Sequence, residues 1–263
     1  MEKESIHTGF KMIDDRGGFE TGDLVVIGGA TSIGKTTLAI NILVNSAKTG
    51  IPSMFFSLEM TIQQISARIV SNELPIYIDD SANSIEAIKE KIRSMAIKKG
   101  VKVFFIDFLQ RMWKLNNIKE NEVHFYEAVC NELKDLAKKL KVCIVIICQL
   151  NRGTNDNNPR PSLSMLPNDI ETAPDTIIFI YRPGYYGKRH KYRPDLDPNT
   201  TAELIIAKGR NMWTGSSYCH YEPIIGFSEI NEPELLEKKD NPVRNFFKDI
   251  RRLIANQIQN NKQ

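Results

Sequence analysis

The eight residues from Gly29 to Thr36 read Gly-Ala-Thr-Ser-Ile-Gly-Lys-Thr, and no other stretch constrains this chain as much. The pattern G-x-x-x-x-G-K-T follows an apolar run, Asp23-Leu-Val-Val-Ile-Gly28, and precedes Thr37-Leu-Ala-Ile-Asn-Ile-Leu-Val44. A buried strand, a glycine loop and a helix in that order aim backbone N–H groups and the positive helix end at one point, where they hold phosphate. Gly29 and Gly34 let the backbone wrap closely, and Ala30, Thr31, Ser32, Ile33 and Thr37 complete the cradle. Lys35 brings an ammonium to the β- and γ-phosphates, and Thr36 offers a hydroxyl to Mg²⁺. The expected ligand is a nucleoside triphosphate.

Two acids fit that expectation. Val103-Phe-Phe-Ile-Asp107 is an apolar strand ending in a carboxylate, the residue type that holds Mg²⁺ beside a phosphate loop because a buried carboxylate needs a cation. Phe55-Phe-Ser-Leu-Glu59 ends a second strand in an acid. Glu59 there reads in two ways: a base that orients and deprotonates the attacking water, or a helix-capping acid before Thr61.

The remaining pattern is α/β. Strands are expected over 24–27, 53–58, 102–106, 142–148, 177–181, 202–207 and 218–222, and helices over 35–47, 61–71, 84–98 and 120–140, with Thr61 and Ser84 as caps. Apolar strands separated by helices predict a mainly parallel central sheet covered on both faces, with later strands turning antiparallel. Residues 1–240 read as one domain. Over 241–263, Asn241 and Pro242 open an amphipathic helix with Val243, Phe246, Phe247, Ile250, Leu253 and Ile254 on one face.

Composition excludes more than it identifies. With 35 basic against 32 acidic residues the net charge is +3, so any nucleic-acid surface must be local. The longest apolar run, 142–148, is too short for a bilayer and the start lacks a signal-peptide core, which predicts a cytoplasmic protein with no membrane partner. The four cysteines, Cys130, Cys143, Cys148 and Cys219, lack C-x-x-C spacing and read as buried free thiols. Two loops, 151–166 and 182–200, interrupt the pattern.

The order of blocks resembles a known family. Thr8-Gly-Phe10, the glycine loop, Phe56-Ser-Leu-Glu-Met60, Ile106-Asp-Phe-Leu-Gln110, Cys148-Gln-Leu-Asn-Arg152, Ile170-Glu171 with Asp175, Phe179-Ile-Tyr-Arg182 and Ala207-Lys-Gly-Arg-Asn211 look like the RecA-like motor domain of DnaB-type replicative helicases. The resemblance covers roughly residues 8 to 227. It implies a RecA-like P-loop fold and a hexameric ring moving 5′ to 3′ on single-stranded DNA. It also implies ATP bound with Mg²⁺ between subunits, and primase or a helicase loader as partners. Carried over by position, Thr36 and Asp107 hold the metal, Glu59 is the catalytic base and Gln149 is the γ-phosphate sensor. Lys208 and Arg210 are the cations supplied to the next subunit.

The chain also departs from that family. It begins at the motor domain, either as an excised piece or as a naturally short form. The family's Arg-Glu-Ser-Gly stretch, which contacts DNA phosphates, is replaced by the shorter Leu166-Pro-Asn-Asp169, and Met212-Trp213 replaces the customary Gly-Pro. Candidate substitutes for DNA contact are Arg152 and Arg160 in the first loop. Lys188 and Arg189 in the second are interleaved with Tyr185, Tyr186 and Tyr192. The alternative is a helicase-derived ATP-binding regulator that does not unwind DNA.

Overall fold

The computed structural model describes residues 4–69, 73–82, 84–108, 110, 122–151, 160–167, 170–223 and 225–230. Contacts divide the chain into two units, Met1–Glu229 and Ile230–Gln263, and the first is described below. The amphipathic helix expected over 241–263 lies outside the described residues.

Strands β1 (Ser5–Ile6) and β2 (Phe19–Glu20) pair antiparallel around the short helix α1 (Lys11–Asp14). The chain then enters β3 (Leu24–Gly29), α2 (Lys35–Lys48), β4 (Ser53–Ser57), α3 (Ile62–Ser66), β5 (Ile76–Asp79), α4 (Ile85–Lys99) and β6 (Val103–Asp107). Helix α5 (Glu122–Leu140) leads to β7 (Cys143–Gln149), followed by β8 (Thr176–Tyr181), β9 (Thr201–Gly209), β10 (Gly215–Glu222) and β11 (Gly226–Glu229).

Nine of these strands form one sheet in the order β11-β10-β9-β8-β3-β7-β6-β4-β5. From β5 to β8 all neighbours run parallel, and β9, β10 and β11 extend the sheet antiparallel from β8. Strands β3, β4, β6 and β8 are buried at every position, which is why their sequences are continuous rather than alternating. Successive side chains still point to opposite faces. Val25 and Ile27 pack with Leu38 and Ile42 of α2, whereas Leu24 and Val26 pack with Ile88 and Ile92 of α4 and Leu133 of α5.

The caps expected from sequence are present. Ser84 accepts from the Ala87 N–H and Gly100 ends α4 with φ 65°, while Thr61 and Gln64 form a reciprocal capping box on α3. Helix α3 is shorter than the 61–71 expectation because it buries a single apolar residue, Ile65, too little to extend a helix by packing. Strand β5 is absent from the expected strands, and its first three residues are only half-buried at the sheet edge. All four cysteines are buried free thiols. Among the described residues, no helix is long and apolar enough to cross a membrane.

Candidate active site

The parallel strands converge on one cavity at their carboxyl ends, where an open α/β sheet takes its ligands. Strand β3 delivers the glycine loop, and α2 starts at Lys35 after Gly34, whose φ of 111° lies in the left-handed region. A Cβ on Gly34 would stand 2.8 Å from the Phe227 ring, so both conformation and space demand glycine there.

Lys35 folds its ammonium back onto the Ala30 carbonyl at 2.7 Å. Burial lowers its pKa, against the nearby charges of Asp107 and Glu59. Thr36 donates its hydroxyl to Asp107 Oδ2 at 2.7 Å. Asp107 is 3% exposed, and burial pushes its carboxyl up to about 6 although the Thr36 hydrogen bond and Lys35 pull it down. A hydroxyl and a buried carboxylate side by side are hard oxygen donors suited to Mg²⁺.

Glu59 lies in the turn after β4, which is tied to β6 by Leu58 N–H donating to the Asp107 carbonyl at 2.8 Å. The Ser57 hydroxyl closes the turn by donating to the Met60 carbonyl at 2.6 Å. Thr61 and Gln64 cap α3, and Glu59 lines the cavity. Gln149, at the end of β7, lines it too. Its backbone is gripped by the Gln110 amide, which donates to the Gln149 carbonyl at 2.7 Å and accepts from its N–H at 3.2 Å. The cavity, of about 360 Å³, thus brings Lys35, Thr36, Glu59, Asp107 and Gln149 together.

Other residues, to which the sequence assigns no role, line the site. Arg68, Phe108 and Tyr221 line the cavity. The Arg182 guanidinium stacks 3.4 Å over the Tyr221 ring and donates toward the Ile33 carbonyl of the glycine loop at 3.4 Å. Arg182 falls in the Phe-Ile-Tyr-Arg block. Tyr221 belongs to no block.

Lys208 and Arg210 do not line this cavity. They sit at the opposite end of the sheet, where Arg210 N–H donates to the Asp175 carbonyl at 2.8 Å and Asp175 N–H donates to the Leu24 carbonyl at the foot of β3. Five residue steps along β3 separate that foot from Gly29, about 17 Å of extended chain. Burial and the adjacent Arg210 charge lower the Lys208 pKa.

The DNA-contact candidates divide. Arg160 is half-buried, and its guanidinium makes a bidentate pair with buried Glu203, at 3.1 and 2.7 Å. Arg152 lies outside the described residues, as do Asn168 and Asp169. Lys188 and Arg189 line a second hollow of about 590 Å³ with Asp195 and Asp197. Of the interleaved tyrosines, Tyr185 and Tyr192 are 49% and 62% exposed, whereas Tyr186 packs on Tyr181 and Tyr185. Met212 is buried, and its neighbour Trp213 is 82% exposed.

Comparison with known proteins identifies the family. The family model of the DnaB-like helicase C terminal domain matches residues 5–76 and 70–227. The chain is 31% identical over 230 residues to a probable replicative DNA helicase of Trieres chinensis, covering 74% of this chain and 50% of that protein. It is 30% identical over 246 residues to the replicative DNA helicase DnaB of Geobacillus stearothermophilus, covering 80% and 53%. The chain therefore spans about half the length of the curated relatives it matches. Among solved structures, a DnaB-like replicative helicase studied with primase superposes with a TM-score of 0.76 at 23% identity, covering 87% of this chain and 62% of that one. A second solved structure, of an ATPase domain, gives 0.75 at 23%, covering 87% and 92%. These two likenesses speak for the fold, which is RecA-like.

Proposed function

The chain belongs to the DnaB-like helicase C-terminal domain family, and from that premise we propose that it is an ATP-hydrolysing motor that moves 5′ to 3′ along single-stranded DNA. The active sites of this motor are shared between neighbouring copies in a ring, on the hexameric pattern. One observation carries the reading: the glycine loop with Lys35 and the pair Lys208 and Arg210 lie at opposite ends of the sheet. A head-to-tail contact between copies would join them.

In this reading the loop N–H groups and the start of α2 bind the phosphates, and Lys35 exchanges the Ala30 carbonyl for a phosphate oxygen. Thr36 and Asp107 would hold Mg²⁺, which supplies charge neutralisation on the transferring phosphoryl group. Glu59 orients the attacking water and takes its proton. Gln149, held by Gln110, contacts the γ-phosphate. Arg210 and Lys208 of the adjoining copy meet the charge that develops as the phosphoryl group departs. Tyr221 and Arg182 form the shelf for the base. A primase or a helicase loader is the protein partner that this reading carries.

One observation favours the second reading, a regulator that binds ATP without unwinding. The segment beginning Leu166-Pro167 lacks the family's arginine, and Arg160 is committed to Glu203. ATPase assays with and without single-stranded DNA, paired with unwinding of a forked duplex, separate the two. DNA-stimulated hydrolysis with unwinding is expected; hydrolysis indifferent to DNA and no unwinding would establish the regulator.

A further inference from the structure

We infer that Asp175 positions Arg210 for the neighbouring copy's γ-phosphate, a role that rests on the shared-site reading above. Asp175 immediately precedes β8 and Arg210 immediately follows β9, and the register that pairs Thr176 with Gly209 brings them face to face. Arg210 is held twice: its N–H donates to the Asp175 carbonyl at 2.8 Å, and its Nη1 stands 3.1 Å from Asp175 Oδ1.

The carboxylate is itself fixed from behind. Its Oδ2 accepts the Leu24 N–H at 2.9 Å and the ammonium of Lys134, which also donates to the Gly22 carbonyl at 2.7 Å. Asp175 and Lys134 are 3% and 7% exposed, so strand β3 and helix α5 give the acid one orientation. The Arg210 side chain, in contrast, is 52% exposed. Its guanidinium leaves a buried anchor by one nitrogen and presents the rest outward. A long side chain tethered this way loses the rotamers that would point elsewhere before the neighbour arrives. One carboxylate shared between two cations also leaves the pair with a net positive charge, so the anchor orients Arg210 without neutralising it. Lys208 is steadied nearby by the Glu171 and Thr172 carbonyls, the latter at 3.0 Å.

The test uses the double variant Asp175→Asn with Lys134→Met, which removes the buried ion pair as a unit and so avoids stranding a lone charge. Affinity for a fluorescent ADP analogue should stay within about twofold of the parent, while kcat falls roughly a hundredfold, the scale of a misplaced catalytic group. The deciding readout is subunit mixing, with mixed oligomers verified by mass. The double variant should recover ATPase with Lys35→Ala, which supplies an intact Arg210, and should not recover it with Arg210→Ala. About a quarter of the junctions in an equal random mixture are productive, which sets the size of the recovery. Recovery with Arg210→Ala but not with Lys35→Ala would overturn the inference, because Asp175 would then serve its own phosphate cradle through Leu24. An unchanged kcat, or loss of ADP binding, would overturn it too. The control mixture of Arg210→Ala with Lys35→Ala judges the shared-site reading separately. If that control stays silent in co-expressed, mass-verified mixed oligomers, the shared site itself is wrong.

Discussion

Thr36 and Asp107 are joined by a 2.7 Å hydrogen bond from hydroxyl to carboxylate, which ties the end of the glycine loop to the end of β6. The residues lie 71 positions apart in the chain, and β7 stands between their strands in the sheet. That contact places two oxygen donors together in a buried setting, and the burial explains why the acid resists ionisation.

The sign of the resulting pH dependence follows from the raised carboxyl. Asp107 in the fold titrates at about 6, above the 3.8 of an ordinary aspartate. Its protonated form therefore contributes stability that is fully present below pH about 4 and lost as pH rises through about 6. A metal ion needs the ionised form, so the thermal stabilisation given by Mg²⁺ with nucleotide should grow as pH rises through about 6. Melting curves from pH 5 to 8 check this against Asp107→Asn, which corrects for titration of the nucleotide. Equal wild-type and variant profiles would remove Asp107 from the metal site.

Lys35 and Glu59 share the cavity but should fail differently. Lys35→Ala is expected to weaken nucleotide binding and abolish hydrolysis. Glu59→Gln should bind ATP nearly as tightly and hydrolyse it about a hundredfold or more slowly, the scale of losing a general base. Paired binding and turnover measurements decide. A wild-type rate in Glu59→Gln would leave the side chain no part in the chemistry.

The base shelf gives a prediction about affinity. Arg182 lies 3.4 Å over the Tyr221 ring beside the glycine loop. Loss of a stacking face costs on the order of 1–3 kcal/mol, so Tyr221→Ala should weaken ATP binding by about fivefold to a hundredfold. Inorganic triphosphate, which has no base, should bind both proteins alike. Equal weakening for triphosphate would mean that Tyr221 supports the phosphate loop rather than the base.

Arg160 and the pair Lys188 and Arg189 should separate stability from DNA binding. Arg160→Ala leaves the buried Glu203 carboxylate without its partner and should cost roughly 1–3 kcal/mol of stability. Neutralising Lys188 and Arg189 removes two positive charges from the rim of the second hollow. It should lower single-stranded DNA affinity and flatten the salt slope by about 0.7 for each phosphate that is no longer neutralised. DNA binding that is unaffected by this change would place the DNA path elsewhere on the surface.

What the sequence by itself determined is what short stretches of chain encode. Gly34 and Lys35 announce the phosphate loop because its conformation and charge lie within eight residues. Thr61 and Ser84 announce helix starts because a cap bonds a donor three residues away. The continuous apolar runs of β3 and β6 announce a sheet covered on both faces. The family blocks added candidate roles for Gln149, Lys208 and Arg210, which would otherwise read as ordinary polar residues at strand ends.

Tertiary structure decided the matters that depend on which distant residues meet. Arg160 meets Glu203, 43 positions away, only because β9 carries the acid to it. Glu59 shares a cavity with Lys35, Thr36 and Asp107 only because β3, β4 and β6 reach the same end of the sheet. Arg182 and Tyr221, Gln110 and Gln149, and Asp175 and Arg210 are pairs made by strand order and direction. Because β9 runs antiparallel to β8, its last residues return to the foot of β3. The cation pair therefore lies far from its own glycine loop, a consequence of sheet direction that no local pattern of residues records.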